Sequence, residues 1–109
     1  MAQSDNTGVV LEDLCYEAQQ AAEKAVKAVF IHRRETFPYI HDLHKLLQLL
    51  EKNGLKVPRY VQDSKELTRF ALETRYPGSS GPVTRRAYRR AFRIAEAVVQ
   101  WAERQIGKP

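Results

Sequence analysis

Several features that define common protein classes are absent or scarce in this sequence. Its single cysteine, Cys15, excludes an internal disulfide framework and suits a reducing compartment. No run of about 18 apolar residues occurs, so no segment is predicted to span a membrane. Residues 1–8 carry no basic cluster followed by an apolar stretch, so we expect no secretory signal. Together these features predict a cytoplasmic protein.

Motifs for common cofactors and catalytic centres are also lacking. There is no glycine-rich phosphate loop, no pair of catalytic carboxylates and no nucleophile elbow. His41 and His44 lie three residues apart, but two imidazoles without further acidic or cysteine ligands are a weak metal signal. We therefore expect no cofactor and no metal site.

The net charge of +5 is concentrated in one half of the chain. Residues 1–54 hold six basic and eight acidic side chains, which gives −2. Residues 55–109 hold twelve basic and five acidic side chains, which gives +7. An anionic partner is therefore expected to be attracted to the C-terminal half.

Helical spacing of apolar residues dominates the sequence, and no segment alternates as a strand does. With 109 residues, the chain fits one domain, residues 1–109, in which residues 1–8 read as an N-terminal tail. Four helices are predicted: from about Val10 to Arg34, from about Ile40 to Lys52, from Pro58 to about Thr74, and from Thr84 onward. The apolar face of the second helix consists of Leu43, Leu46, Leu47 and Leu50. Tyr60 is expected on the apolar face of the third helix, and Thr84 is expected to cap the last one. The predicted fold class is all-α, an up-and-down helical bundle.

The apolar face of the first helix consists mainly of small side chains in its middle part. Cys15, Ala18, Ala22 and Ala25 recur at spacings of three and four, so they share one face. Small side chains let a neighbouring backbone approach closely, which places this helix in the middle of the bundle. Cys15 is accordingly expected to be buried without thiol chemistry, and Trp101 to lie in the core or at a dimer interface.

Three segments resemble those of small prokaryotic proteins of the HEPN superfamily. They are residues 11–28 (LEDLCYEAQQAAEKAVKA), residues 37–43 (FPYIHDL) and residues 73–78 (ETRYPG). These segments are similar to the family's AQQAAEK, F-x-x-x-H-D-L and TRYP motifs, occur in the family order, and cover about residues 9–106. The resemblance implies the HEPN helical bundle and a homodimer. Compared with the family pattern, we expect the additional first helix to be truncated or absent here, which would leave one flank of the small-residue helix uncovered.

Three activities are implied by the resemblance. Some HEPN proteins pair with a minimal nucleotidyltransferase as a two-component toxin–antitoxin system, some bind nucleotides, and others are metal-independent ribonucleases with an R-x4-6-H motif at a dimer interface. The last helix of this sequence contains no histidine, and only Arg34 and His41 fit the spacing, across the first joint. These two are weak catalytic candidates. For His41 an orienting or capping role in the turn is expected in preference to catalysis.

An arginine cluster near the start of the last helix is the main candidate binding feature. It consists of Arg85, Arg86, Arg89, Arg90 and Arg93, with no acidic residue among them. Like charges four residues apart repel, and cations at a helix N-terminus oppose its dipole, so a bound anion would relieve both penalties. Alternatively, the cluster is a solvated face, or it pairs with Glu66, Glu73 and the acidic first helix.

Arg75 and Tyr76 of the loop before the last helix are further candidates. A guanidinium and a phenol could hold a phosphate and stack on a base, although a rigid turn explains them equally. The predicted function is that of a HEPN binding or regulatory protein, partner of a minimal nucleotidyltransferase, that contacts nucleotide or nucleic-acid phosphate. The alternatives are a dimeric metal-independent ribonuclease toxin and a ligand-free assembly protein.

Overall fold

The computed structural model describes residues 7–71 and 83–107, and within these ranges the chain is helical, without strands. The predicted all-α class is thereby confirmed. The elements are α1 (Thr7–His32), α2 (Leu43–Lys52), α3 (Arg59–Gln62), a 3₁₀ helix (Asp63–Phe70) and α4 (Arg85–Ile106). The arginine candidate Arg75, its neighbour Tyr76 and Glu73 lie outside the described residues.

Helix α1 begins at Thr7, three residues before the predicted start, and ends at His32, two residues before the predicted end. Its C-terminus closes with two hydrogen bonds, from Arg34 N to Ile31 O (3.0 Å) and from Glu35 N to Phe30 O (2.9 Å). This pair of bonds is the Schellman motif, which requires a left-handed residue after the helix. Arg34 takes that conformation, with φ of 59°.

Helix α2 begins at Leu43 rather than at the predicted Ile40, because Asp42 caps it. The Asp42 carboxylate accepts a hydrogen bond from Lys45 N (3.2 Å), which satisfies one free amide of the first turn. The predicted apolar face is confirmed, since Leu43, Leu46, Leu47 and Leu50 are all buried.

The predicted third helix was wrong in its length and type. The chain makes one α-helical turn in α3 and then continues as a 3₁₀ helix that ends before Ala71. Ser64 lies at the transition, and its buried hydroxyl donates a hydrogen bond to Val61 O (2.6 Å). A side chain that takes a backbone acceptor competes with the α-helical hydrogen-bond ladder. Tyr60, placed by its spacing on the apolar face, is instead 46% exposed.

The core lies between α1 and α4, with α2 and the 3₁₀ helix packed against them. Cys15 and Trp101 are buried in it, as predicted, and burial raises the pKa of the Cys15 thiol. The molecule measures 54 × 23 × 20 Å. Both long helices keep one face open to solvent, since exposed residues recur along α1 and α4.

Candidate functional site

The first half of α4 carries the arginine cluster. Thr84 begins the helix as its N-cap, accepting a hydrogen bond from Ala87 N at 3.0 Å, as the sequence predicted. Arginines of the following turns line a groove of about 530 Å³. We call this groove the basic groove, and its lining residues are Arg86, Arg89, Arg90, Arg93 and Ile94. Arg85 is exposed and lies outside this lining.

One of these arginines is neutralised by the 3₁₀ helix. Arg90 donates two hydrogen bonds to the Glu66 carboxylate, at 2.6 and 2.9 Å, which is one of the pairings that the sequence left open. These hydrogen bonds hold the pKa of Glu66 below its ordinary value. Arg86, Arg89 and Arg93 form no ion pair with any residue in the described ranges. The basic groove therefore keeps a net positive charge.

The structure adds Arg69, which the sequence did not single out, to this surface. A smaller cavity of about 130 Å³ is lined by Glu66, Arg69 and Arg90 together with apolar side chains of both helices. The Arg69 guanidinium lies 4.5 Å from the centre of the Phe70 ring, a distance typical of a cation–π contact. Because Arg69 precedes α4 by sixteen residues, only the packing of the 3₁₀ helix on α4 brings it here.

A polar network centred on Glu23 joins α1 to the segment before α2. The Glu23 carboxylate lies 2.8 and 2.9 Å from Nδ1 of His41, and it accepts hydrogen bonds from Gln19 Nε2 (2.8 Å) and Lys27 Nζ (2.7 Å). Burial raises the pKa of Glu23, but the hydrogen bonds from Lys27, Gln19 and His41 outweigh it, so the pKa is lowered. The network therefore holds a carboxylate in a side chain that is only 5% exposed.

The two catalytic candidates, Arg34 and His41, lie beside different parts of α1. His41 is held beside Glu23, whereas Arg34 follows the end of the helix. Nine residues separate Glu23 from His32, which corresponds to about 13 Å along the helix axis. His41 therefore lies beside the turn of Glu23, about 13 Å along the axis of α1 from the end of the helix that Arg34 follows.

A second groove, between α1 and α4, has the opposite character. This groove, the α1–α4 groove, has a volume of about 500 Å³. Its apolar lining comes from both helices: Leu14, Ala18, Ala21, Tyr88, Phe92, Ala95 and Val99. Three carboxylates, Glu17, Glu96 and Glu103, also line it. Of the four small residues in the apolar stripe of α1, only Ala18 lines this groove, while Cys15 and Ala22 are fully buried.

These features define an all-helical domain with one arginine-lined groove and one apolar groove. Within residues 7–71 and 83–107, no three His, Cys, Asp or Glu side chains are grouped as metal ligands. None of the helices described has the length and apolar character needed to cross a membrane.

The family model for the HEPN domain matches residues 2–105, and the chain therefore belongs to the HEPN domain family. The resemblance of the three sequence motifs is confirmed by this match. No curated protein and no solved structure matched the chain.

Proposed function

We propose that this HEPN protein is a binding and regulatory protein that contacts the phosphates of a nucleotide or nucleic acid through the basic groove. One observation carries the proposal: four arginines line the groove, and within residues 7–71 and 83–107 only Arg90 is paired with a carboxylate. Guanidinium groups bind phosphate oxygens through paired hydrogen bonds, and the nearby N-terminus of α4 adds a favourable dipole. Arg69 extends the same surface. Arg75 and Tyr76 remain further candidates for it.

Family membership supports a protein partner as well. HEPN domains commonly pair with nucleotidyltransferases, so we propose a minimal nucleotidyltransferase as the partner in a two-component, toxin–antitoxin-like system. The pairing is tested by mixing the purified protein with a minimal nucleotidyltransferase from the same genome. Co-elution from a size-exclusion column would support the pairing, and separate elution at micromolar concentrations would contradict it.

Phosphate binding is tested by fluorescence anisotropy with a short labelled single-stranded RNA. The double variant Arg86→Ala/Arg93→Ala removes two unpaired cations and should weaken binding roughly 10- to 30-fold at about 0.1 M salt. Glu66→Gln should act in the opposite direction, because it releases Arg90 from its ion pair. We expect it to tighten binding about threefold.

The matched control is Lys52→Ala/Lys56→Ala, which removes two exposed cations near the end of α2. Equal weakening by both double variants would mean that RNA senses only the net charge, and the basic groove would then not be a site. Absence of any RNA or nucleotide binding by the wild-type protein would likewise overturn the proposal and favour a ligand-free assembly protein.

The ribonuclease alternative is favoured by one contact. His41 Nδ1 lies against the Glu23 carboxylate, and a carboxylate in that position orients an imidazole for acid–base chemistry. The same RNA assay decides it, in a buffer containing a metal chelator. Cleavage that is lost in His41→Ala and kept in the control His44→Ala, an exposed histidine of α2, would promote this alternative. An intact RNA would exclude it.

A further inference from the structure

The small cavity of about 130 Å³ between the 3₁₀ helix and α4 has an apolar lining. That lining consists of Leu67, Phe70, Ala87 and Ala91. Leu67, Phe70 and Ala91 are buried, so these walls are held in place by the packing of the core. An apolar cavity of about 150 Å³ can hold one benzene molecule, so a cavity of this size fits a single six-membered ring.

Hydrogen-bond acceptors and donors stand beside these apolar walls, on Glu66, Arg69 and Arg90. Arg90 donates one hydrogen bond to each oxygen of the Glu66 carboxylate. Because a carboxylate has about four lone-pair sites, each oxygen can accept a further hydrogen bond. The Arg69 guanidinium, 4.5 Å from the centre of the Phe70 ring, adds N–H donors. The cavity therefore suits a planar heterocycle that carries both an amino group and acceptor atoms.

The cavity and the basic groove are neighbours that share one side chain. Arg90 lines both of them. Ala87 and Ala91 of the cavity directly follow Arg86 and Arg90 of the basic groove in the sequence of α4. A ligand that carries a ring and a phosphate can therefore contact both places at once, whereas inorganic phosphate would occupy the basic groove alone.

We propose that this cavity is a base subsite that takes the ring of a pyrimidine nucleotide and prefers cytosine to uracil; the inference rests on the phosphate site proposed above. A pyrimidine has the single ring that the cavity fits, whereas a purine has two. The cytosine amino group donates to a carboxylate such as Glu66, and cytosine ring acceptors can take hydrogen bonds from Arg69. Uracil carries an oxygen in place of the amino group, and that oxygen would face the Glu66 carboxylate without a hydrogen bond.

The experiment is a two-dimensional NMR titration of the full-length protein at about 0.05 M salt. Its ligands are cytidine monophosphate, uridine monophosphate and ribose 5-phosphate, which has the sugar and the phosphate but no base. Cytidine monophosphate should bind at least about tenfold more tightly than ribose 5-phosphate, because its ring is buried in the cavity. Uridine monophosphate should bind about threefold more weakly than cytidine monophosphate.

Two variants locate the base. Ala87→Leu fills the cavity and should lower the affinity for cytidine monophosphate to that for ribose 5-phosphate, while the affinity for ribose 5-phosphate stays unchanged. Its matched control is Ala97→Leu, at a partly buried alanine of α4 that lines neither the grooves nor the cavity. Glu66→Gln should remove the preference for cytidine over uridine, because an amide both donates and accepts. The NMR spectrum of each variant verifies that it is folded.

Equal affinities of the wild type for cytidine monophosphate and ribose 5-phosphate would overturn the base subsite and leave the phosphate site standing. Absence of binding by all three ligands would overturn both. An unchanged affinity for cytidine monophosphate in Ala87→Leu would place the ring elsewhere and also overturn the subsite. Tighter binding of adenosine or guanosine monophosphate than of cytidine monophosphate would overturn the assignment to pyrimidines.

The pyrimidine nucleotide can be a free molecule or one unit of single-stranded RNA, and short oligonucleotides distinguish these two sources. If an oligocytidine binds more tightly than an oligouridine of equal length, the subsite accepts a nucleotide within RNA. If the two oligonucleotides bind equally while cytidine monophosphate keeps its advantage over uridine monophosphate, the ligand is the free nucleotide.

Discussion

At the residue scale, Glu23 links α1 to the segment that precedes α2. The sequence marked His41 as an orienting or capping residue, and its ring indeed contacts a carboxylate 18 positions away. Asp42, not His41, caps α2. Next to this network, Gln19 donates one hydrogen bond to Glu23, but its buried Oε1 has no hydrogen-bond partner within the described ranges. The network is therefore organised around the carboxylate.

Glu23→Gln should lower the free energy of unfolding at pH 7 by about 2 kcal/mol, because charge-assisted hydrogen bonds from Lys27 and His41 are lost. The pKa of Glu23 in the folded protein is below its ordinary value of 4.5. Its contribution is therefore complete above pH 4.5 and is lost as the pH falls through the lowered pKa. The difference in unfolding free energy between the wild type and Glu23→Gln should therefore shrink in that pH range. Urea unfolding at several pH values measures this difference.

Asp13→Asn is the control for this titration, because Asp13 is an exposed carboxylate on the same helix. We expect the free energy of unfolding of Asp13→Asn to equal that of the wild type at every pH. If Glu23→Gln lowered the free energy of unfolding by the same amount from pH 7 to pH 3, its effect would not come from the carboxylate charge.

At the element scale, α1 and α2 end with the same motif but with different residues at the left-handed position. After α2, Gly54 has φ of 99°, with hydrogen bonds from Gly54 N to Glu51 O (2.9 Å) and from Leu55 N to Leu50 O (3.0 Å). After α1, Arg34 takes this position. Residues with a Cβ are strained there, so α1 ends on a residue poorly suited to its conformation.

Arg34→Gly should therefore raise the free energy of unfolding, by about 0.5–1 kcal/mol, and Gly54→Ala should lower it by about 1 kcal/mol. A Cβ on Gly54 would meet no atom within 4 Å, so its effect reports backbone conformation alone. Thermal unfolding of both variants measures the changes. Destabilisation by Arg34→Gly would instead indicate that the guanidinium itself supports the fold.

At the scale of the whole molecule, the charge asymmetry of the sequence becomes a localised surface. The excess of cations in residues 55–109 appears as the basic groove on α4, extended by Arg69 of the 3₁₀ helix. By contrast, the α1–α4 groove carries three carboxylates. One molecule thus presents a basic surface on α4 and a separate, mostly apolar surface between α1 and α4.

Binding of single-stranded RNA to the wild-type protein should consequently weaken steeply with salt. Arg86, Arg89 and Arg93, which form no ion pair among the described residues, predict a slope of about −2 in a plot of log binding constant against log salt concentration. In Arg86→Ala/Arg93→Ala the slope should become shallower by about 1.4. A binding constant insensitive to salt would rule out phosphate contacts as the source of affinity.

The sequence by itself determined the properties that depend on residues close together along the chain. Helical periodicity predicted the class, the buried face of α2 and the burial of Cys15 and Trp101, since side chains three or four apart share a helix face. Local hydrogen bonding likewise allowed Thr84 to be predicted as a cap. The clustering of arginines on α4 needed no more than their spacing.

Only the tertiary structure decided which distant side chains meet. The Glu23–His41 contact, the Arg90–Glu66 pair and the approach of Arg69 to α4 join separate elements, and no local pattern specifies how those elements pack. The 3₁₀ helix was missed for a related reason, because its apolar spacing also fits an α-helix. The α1–α4 groove likewise depends on how the two long helices pack, because its lining comes from both of them.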